Sequence, residues 1–184
     1  MLNEYGLETK FCRLGEEITL TDGSRIEGYA SFFGMTDQGG DVVMPGAYGK
    51  SLSRLKAEGR AVRMLWQHDA TQPIGVWDEI AEDGRGLRVK GRILTEVAKG
   101  REAAALVAAG AIDGLSIGYR TVTAEKDAKG QRLLREVELW EVSLVTFPML
   151  AEARVGAKGD TPGGAELRAL AALFDEARRT LAGR

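Results

Sequence analysis

The sequence has very little sulfur and imidazole chemistry, with one cysteine, Cys12, and one histidine, His68, in 184 residues. A single thiol cannot form an internal disulfide, and one thiol with one imidazole cannot build a Cys/His zinc cluster. No stretch approaches the roughly 18 apolar residues of a membrane-spanning helix, and no signal-peptide pattern opens the sequence. We therefore expect a cytoplasmic protein.

The sequence also lacks an excess of charge of either sign. Its 25 basic and 27 acidic residues leave a net charge of −2. This balance gives no general reason to expect nucleic acid or an anionic membrane as a partner. With 44% hydrophobic residues, the chain can form one domain with a substantial core and a modest appendage.

Strand patterns outnumber helical patterns along the chain, which predicts an α+β fold that is mainly β. Period-two alternation and turn signals indicate the strands. They cover residues 26–33, 62–68, 74–80, 87–94, 115–123 and 133–147. The third and fourth are predicted to form a hairpin, and Gly84 is expected to supply the positive φ of its turn.

Two helices are predicted between these strands. The first spans 45–57, because proline is tolerated in a first turn and leucines recur at helical spacing. The second spans 95–109, with Thr95 as its N-cap and Gly110 at its end.

The last part of the chain differs from the rest. Residues 156–164 have the glycine-rich composition of a flexible linker. Beyond them an amphipathic helix is predicted, with its apolar side chains along one stripe. We expect a folded domain over 1–156 and a linker with a helical tail over 157–184. Such a helix either docks on a partner or is dispensable for the fold.

His68 is the one side chain whose ordinary titration range suits acid-base chemistry near neutral pH. It ends the segment Met64-Leu65-Trp66-Gln67-His68, just before a turn signal. If the segment is a strand, alternation places His68 on the same face as Val62, Met64 and Trp66.

A serine lies in a short pattern, Gly114-Leu115-Ser116-Ile117-Gly118, that matches the Gly-x-Ser-x-Gly nucleophile elbow of hydrolases. The chain order opposes that fold, because the histidine of those enzymes follows the serine whereas His68 precedes Ser116. A strand-like run also follows Ser116 where an elbow needs a helix. Taken alone, Ser116 is more typical of a strand serine that hydrogen-bonds to backbone.

Glu141 is the carboxylate that is hardest to explain as a surface group. It lies in a strand predicted to be apolar on both faces, and alternation groups it with Leu139, Ser143 and Val145. Burying an unpaired carboxylate is costly, so Glu141 should have a partner. A serine nucleophile needs a base, and the base needs an orienting group, which Glu141 can supply to His68.

Other pairings remain open at this point. Glu141 can instead form a structural ion pair with Arg120 or Arg135. Asp69, Asp78 and Asp113 are rival candidates for the group that orients the imidazole.

Five segments in a fixed order resemble the prohead maturation protease family of tailed phages, the HK97-type group. They are Gly28-Tyr29-Ala30-Ser31-Phe32-Phe33, Gly40-Asp41-Val42-Val43-Met44-Pro45-Gly46-Ala47-Tyr48, Leu65-Trp66-Gln67-His68-Asp69 with Pro73-Ile74-Gly75, Gly110-Ala111-Ile112-Asp113-Gly114-Leu115-Ser116-Ile117-Gly118-Tyr119, and Leu139-Trp140-Glu141-Val142-Ser143-Leu144-Val145-Thr146-Phe147-Pro148. The resemblance covers roughly residues 28–155. Gene transfer agents and prophage remnants carry similar proteins.

The resemblance implies a fold and a set of catalytic residues. The family is related to the herpesvirus assembly proteases, which implies an assemblin-like closed or partly closed β-barrel with surrounding helices. The chain order of those enzymes implies His68 as general base, Ser116 as nucleophile and Glu141 as the group that orients His68. No cofactor and no metal are implied.

The resemblance also implies a role and partners. A serine endopeptidase of this family acts inside the immature capsid in the bacterial host cytoplasm. It removes the scaffolding segment of the major capsid protein and then digests itself, and its viral relatives dimerise. The C-terminal tail then becomes a candidate for self-cleavage or scaffold docking. The alternatives are a non-proteolytic capsid-assembly component with the same fold, and an esterase.

Two further site hypotheses concern loops. Backbone N–H groups after Phe147 are candidate donors to the oxyanion, although Pro148 has no N–H. Asp37 and Asp41 could suggest a cation site, but aspartates in a glycine-rich loop are more typical of turns.

Overall fold

A computed structural model describes residues 6–13, 19–37 and 39–146. In that part the chain forms nine strands and two helices. They are β1 Glu8–Arg13, β2 Thr19–Thr21, β3 Arg25–Phe32, β4 Asp41–Val43, α1 Gly49–Ala57, β5 Arg63–Trp66, β6 Asp69–Glu82, β7 Gly86–Ile93, α2 Ala98–Ala108, β8 Gly114–Lys126 and β9 Arg132–Val145. The predicted linker and helical tail lie outside the described residues.

The described strands form one curled sheet, which confirms the mainly β class. Its order is β1-β8-β9-β5-β6-β7-β3-β2, and β4 pairs with the start of β9. Strand β9 lies between β8, which runs antiparallel to it, and β5, which runs parallel to it. The curl makes a half-barrel and brings β3 beside β1 and β8.

The described residues share one hydrophobic core, which lies along the curled sheet from β3 and β7 to β8 and β9. It takes alternate residues from strands on both sides, as period-two strands require. Its fully buried members include Ile26, Met64, Ile74, Leu87, Val89, Leu115, Ile117, Leu134, Val142 and Leu144. Because each such side chain contributes about 1.5–3 kcal/mol on burial, this core is the main stabilising term of the domain.

Both helices begin later than the sequence predicts. The first starts at Gly49, because Gly46 has a φ of 86°, which no α-helix accommodates. The second starts at Ala98 with Val97 at the N-cap position and no side-chain cap, so the prediction that Thr95 caps it is wrong. Gly110, with a φ of 69°, follows the second helix as predicted.

The predicted hairpin is present as β6 and β7, but its turn is built differently. Gly84 does not have a positive φ, so that detail of the prediction is wrong. The Asp83 carboxylate accepts hydrogen bonds from the backbone N–H groups of Arg85, at 2.7 Å, and Gly86, at 3.1 Å. An Asx-type turn therefore replaces the glycine-dependent one.

Strand β1 is fixed to the sheet by two groups of polar contacts. Lys10 is buried, and its Nζ donates to Asp37 Oδ2 at 3.1 Å and to the Asp41 carbonyl at 2.8 Å. Asp37 Oδ1 in turn accepts the Asp41 N–H at 2.8 Å, so these aspartates build a turn. The described residues contain no cluster of three or more side chains arranged to hold a metal ion.

The second group of contacts centres on Glu8. Arg132 Nη1 donates to Glu8 Oε2 at 2.6 Å, and the backbone N–H of Thr121 donates to Glu8 Oε1 at 3.2 Å. Burial alone would raise the pKa of Glu8, but the hydrogen bonds from Arg132 and Thr121 outweigh it and hold that pKa below its ordinary value. The ionised carboxylate is therefore the form that the fold stabilises.

We predict that Glu8→Gln lowers the free energy of unfolding at neutral pH by about 1.5–3 kcal/mol, the range for hydrogen bonds to charged groups. A carboxylate with a depressed folded-state pKa stabilises the fold above its unfolded pKa, and this contribution is lost as the pH falls through the folded value. The difference between Glu8→Gln and wild type should therefore shrink below pH 4.5, the ordinary value.

Urea denaturation across this pH range measures the difference. Glu125→Gln is the matched control, because Glu125 pairs with Arg135 at 3.2 Å on the exposed surface. A Glu8→Gln effect that is no larger than the control, or that does not change with pH, would contradict the prediction.

Candidate active site

His68 lies in a tight turn and not on a strand face. Strand β5 ends at Trp66, and Gln67 and His68 have φ values of 52° and 64° before Asp69 pairs with Trp66. A two-residue hairpin turn of this hand needs positive φ at both central positions. The prediction that His68 continues the face of Val62 is wrong, because the chain reverses direction at this point.

The turn adopts a conformation that is uncommon for residues other than glycine, asparagine or aspartate, so it needs support from its surroundings. The N–H of Gln67 donates to the Leu144 carbonyl of β9 at 3.0 Å. The side chain of Gln67 also contacts Thr146, just beyond the same strand. The end of β9 thus holds the turn that carries the histidine.

Glu141 contacts the imidazole. His68 Nδ1 and Glu141 Oε1 are 2.5 Å apart, and the glutamate is only 3% exposed. The two arginines that sequence reasoning left open have other partners: Arg120 pairs with Glu138 at 3.7 Å, and Arg135 pairs with Glu125. The buried carboxylate is therefore paired with the histidine.

The rival aspartates have their contacts elsewhere. Asp69 accepts the N–H of Thr71 at 2.8 Å, and hydrogen bonds from Thr71 and Gln72 lower the pKa of Asp69. Asp78 pairs with Arg92 at 3.0 Å, and Asp113 is exposed.

Ser116 lies on β8, directly opposite Ser143 of β9. Residues opposite each other in a sheet share a face, so Ser116 shares a face with Ser143 and Glu141. Ser116 is fully buried, and its Oγ donates to the carbonyl of Lys10 at 3.2 Å. In this arrangement the serine hydroxyl is directed at strand β1, and it would have to rotate to reach the imidazole.

Strand β8 continues from Gly114 to Lys126 without a helix. The strand, sharp turn and helix of a nucleophile elbow are therefore absent around Ser116, as the sequence indicates.

The pairing of β8 with β9 shifts register beside the site. Gly118 pairs with Glu141 and Tyr119 pairs with Leu139, which leaves Trp140 as an extra residue in β9. Such a bulge changes which face the following residues occupy. Leu139 belongs to the core with Val142, so the prediction that it shares the face of Glu141 is wrong.

Comparison with known proteins shows the family of this chain. Residues 14–162 match the family model described as caudovirus prohead serine protease. The chain belongs to this family. It is 32% identical over 141 residues to the prohead protease of Enterobacteria phage HK97, a match that covers 75% of this chain and 61% of the HK97 protein. The chain thus spans about three fifths of the length of that relative.

A solved structure shows the same fold as this prohead protease family member. The bacteriophage T4 capsid assembly protease superposes with a TM-score of 0.61 at 18% identity, covering 77% of this chain and 98% of the T4 chain. At that identity the likeness concerns the fold.

None of the described helices is both long and apolar enough to cross a membrane.

Ser143 and Gly118 are site residues that sequence reasoning did not identify. The Ser143 hydroxyl donates to Glu141 Oε2 at 2.5 Å, and it accepts the backbone N–H of His68 at 3.2 Å. A signal was available, since Ser143 lies two positions after Glu141 on the same strand face. No comparable signal exists for Gly118, because only the folded structure places it under the glutamate.

Gly118 makes room for the carboxylate. A Cβ at this position would lie 2.1 Å from Glu141 Oε1 and 2.8 Å from Glu141 Cδ. Any larger residue must therefore displace the group that contacts His68. The second glycine of the Gly-x-Ser-x-Gly pattern thus serves the carboxylate and not a nucleophile elbow.

We predict that Gly118→Ala separates Glu141 from His68 while the protein stays folded, because the clash involves a side chain that can move. The chain has one histidine, so its imidazole signals in NMR spectra need no assignment. A low-field Nδ1 proton, expected of a short hydrogen bond to carboxylate, should be seen in the unmodified chain and lost in Gly118→Ala.

Gly84→Ala is the control, because Gly84 has no positive φ and a Cβ there would meet nothing within 4 Å. The low-field proton should persist in Gly84→Ala. Its persistence in Gly118→Ala would refute the packing argument.

Proposed function

We propose that this chain is a serine endopeptidase of capsid maturation in which Ser116 is the nucleophile, His68 the general base and Glu141 the group that orients His68. The observation that carries the proposal is the 2.5 Å contact between His68 Nδ1 and Glu141 Oε1 on the strand beside Ser116. A serine hydroxyl is a weak nucleophile unless an oriented base is next to it.

In this proposal, Nε2 of His68 acts as the base. When Nδ1–H donates to the Glu141 carboxylate, the neutral imidazole has its lone pair on Nε2. Nε2 can then accept the proton of Ser116 as Oγ attacks a peptide carbonyl. The imidazolium that forms next to Glu141 is stabilised by the carboxylate, which is the role of the third member of such triads.

The remaining steps follow from the same groups. The imidazolium gives its proton to the leaving amine, and the acyl group stays on Ser116 as an ester. Water then attacks the ester carbonyl as Nε2 takes its proton. The acyl–oxygen bond breaks to release the acid, and the imidazolium returns the proton to Ser116 Oγ. We propose that backbone N–H groups after Phe147, which lie outside the described residues, donate to the oxyanion.

Ser116 must leave its present hydrogen bond for this chemistry to occur. Rotation about its χ1 angle turns Oγ away from the Lys10 carbonyl. The hydroxyl then points to another part of the sheet face that Ser116 shares with Ser143 and Glu141, which we call the site face. The side-chain hydroxyl loses one neutral hydrogen bond of 3.2 Å, which costs about 0.5–1.5 kcal/mol in net terms. That cost is small beside the reduction of the reaction barrier that enzymes achieve, about 8–23 kcal/mol.

The proposed substrate follows from the relatives. The HK97 protein is a prohead protease and the T4 protein is a capsid assembly protease. We therefore propose that this chain cleaves the scaffolding segment of a major capsid protein inside the immature capsid, and that it processes itself. Self-association of the protease is part of the same proposal. No nucleic acid or membrane partner is proposed.

A non-proteolytic capsid-assembly component is the second candidate. One observation favours it: Ser116 is fully buried, and its hydrogen bond goes to backbone as in an ordinary strand serine. In that case the His68–Glu141 pair would serve stability alone.

The first test is co-expression of the chain with the major capsid protein of the same gene cluster. The intact mass of the capsid protein should be lowered by loss of an N-terminal segment with the wild type and unchanged with Ser116→Ala. Ser31→Ala is the matched control, because Ser31 is equally buried and its Oγ has no hydrogen-bond partner in the described part of the chain.

The two candidate functions give opposite results. If the capsid protein is shortened by the wild type and by Ser31→Ala, but not by Ser116→Ala, the chain is a serine protease. Full-length capsid protein in every case, with folded chains incorporated into particles, would support the assembly component and refute the proposed triad.

We further propose that residues 157–184 are separable from catalysis. A chain ending at Gly156 should fold and keep full cleavage activity, measured on the same capsid protein. A truncated chain with a native circular dichroism spectrum but no activity would contradict this proposal.

A further inference from the structure

We infer that Ser143 is a positioning residue that fixes the tautomer and orientation of His68 through two hydrogen bonds at once. The inference rests on the proposed function of this site and extends it by one residue. Ser143 is fully buried at the centre of the site face, opposite Ser116 on β8 and beside Leu65 on β5. It therefore lies between the strands that carry the candidate catalytic groups.

The direction of each hydrogen bond is determined by chemistry. The backbone N–H of His68 can only donate, so Ser143 Oγ is the acceptor in their 3.2 Å contact. The single hydroxyl proton of Ser143 then goes to Glu141 Oε2 at 2.5 Å. A hydroxyl that accepts one bond while donating another is polarised, which strengthens the bond that it donates.

The bond to Glu141 leaves the other carboxylate oxygen for the imidazole. With Oε2 occupied by Ser143, Oε1 is the oxygen that contacts His68 Nδ1 at 2.5 Å. An ionised carboxylate can only accept, so it requires the proton on Nδ1 and the lone pair on Nε2.

The hydrogen bond from the His68 N–H to Ser143 Oγ holds the backbone from which the imidazole extends. His68 has a φ of 64°, a conformation that persists in this residue only when neighbouring groups hold it. The N–H groups of Gln67 and His68 both donate to β9, the first to the Leu144 carbonyl and the second to Ser143 Oγ. Ser143 thus ties the histidine to β9 both at its backbone and, through Glu141, at its ring.

A purely structural serine provides the comparison. Ser51 on α1 is 4% exposed, and its Oγ accepts the N–H of Leu139 at 2.9 Å. Both serines accept a hydrogen bond from a backbone N–H: Ser51 from Leu139 on β9, and Ser143 from His68 in the turn beside β9. Unlike Ser143, Ser51 makes no hydrogen bond to His68 or Glu141 in the described part of the chain. Ser51→Ala therefore reproduces the general cost of losing a buried hydroxyl without the positioning effect.

The experiment measures the imidazole directly, in full-length chains that carry Ser116→Ala to prevent self-cleavage. The ¹⁵N shifts of the single histidine, recorded where the ring is neutral, report which nitrogen holds the proton. With Ser143 present, we expect the Nδ1-protonated tautomer. Adding Ser143→Ala should give a mixture of both tautomers, whereas adding Ser51→Ala should leave the spectrum unchanged.

Kinetics provide the second readout, in chains that retain Ser116. Ser143→Ala should lower kcat on the capsid protein by about tenfold to 100-fold, since a misplacement of about 1 Å can cost that much. KM should stay unchanged, because Ser143 is fully buried and acts through His68 and Glu141. Ser51→Ala should change neither constant.

Ser143→Cys covers the case in which Ser143→Ala does not fold. A thiol fills nearly the same volume but is a weak donor and acceptor, so the tautomer mixture and lower kcat should also appear there. A single Nδ1-protonated tautomer with unchanged kcat in a folded Ser143 variant would overturn the inference.

This outcome is distinct from failure of the proposed function. If the wild type does not cleave the capsid protein, the proposed function fails, and the tautomer measurement still reports whether Ser143 positions the ring.

Discussion

The site depends on the need of one buried carboxylate for a partner. Glu141 is 3% exposed on the central strand β9, where an unpaired charge would cost several kcal/mol. The chain supplies a single imidazole, and its Nδ1 lies 2.5 Å from Glu141 Oε1. Gly118 leaves space for the carboxylate, and Ser143 occupies its second oxygen. The His68–Glu141 pair therefore explains why a glycine stands at position 118 and a serine at position 143.

The position of β9 in the sheet explains how distant parts of the chain meet. Strand β8 brings Ser116 along one side of β9, and strand β5 leads into the His68 turn along the other side. Because β5 is parallel to β9, the turn that follows β5 lies near the C-terminal end of β9. The left-handed backbone of this turn then lets His68 reach back to Glu141. A histidine that continued as a strand would be carried away from the carboxylate.

Sequence reasoning succeeded where local patterns and burial rules apply, and six of the nine described strands, the β6–β7 hairpin and the need of Glu141 for a partner were predictable. The short or edge strands β1, β2 and β4 were not predicted. It failed where tertiary contacts override local preference. The His68 turn contains no glycine, so its positive φ values have no local signal and depend on hydrogen bonds to β9. The bulge at Trp140 moved Leu139 to the opposite face from Glu141, which strict alternation cannot foresee. The roles of Gly118 and Ser143 similarly required the folded arrangement.

The central claim is that the His68–Glu141 pair activates Ser116. A fluorophosphonate, which reacts with activated serine hydroxyls, followed by peptide mapping by mass spectrometry, tests it most directly. The account predicts an adduct on Ser116 that forms rapidly in the wild type, slowly in Glu141→Gln and not in His68→Ala. A folded wild-type chain with no adduct on Ser116, or equal labelling of Ser116 in His68→Ala, would contradict it.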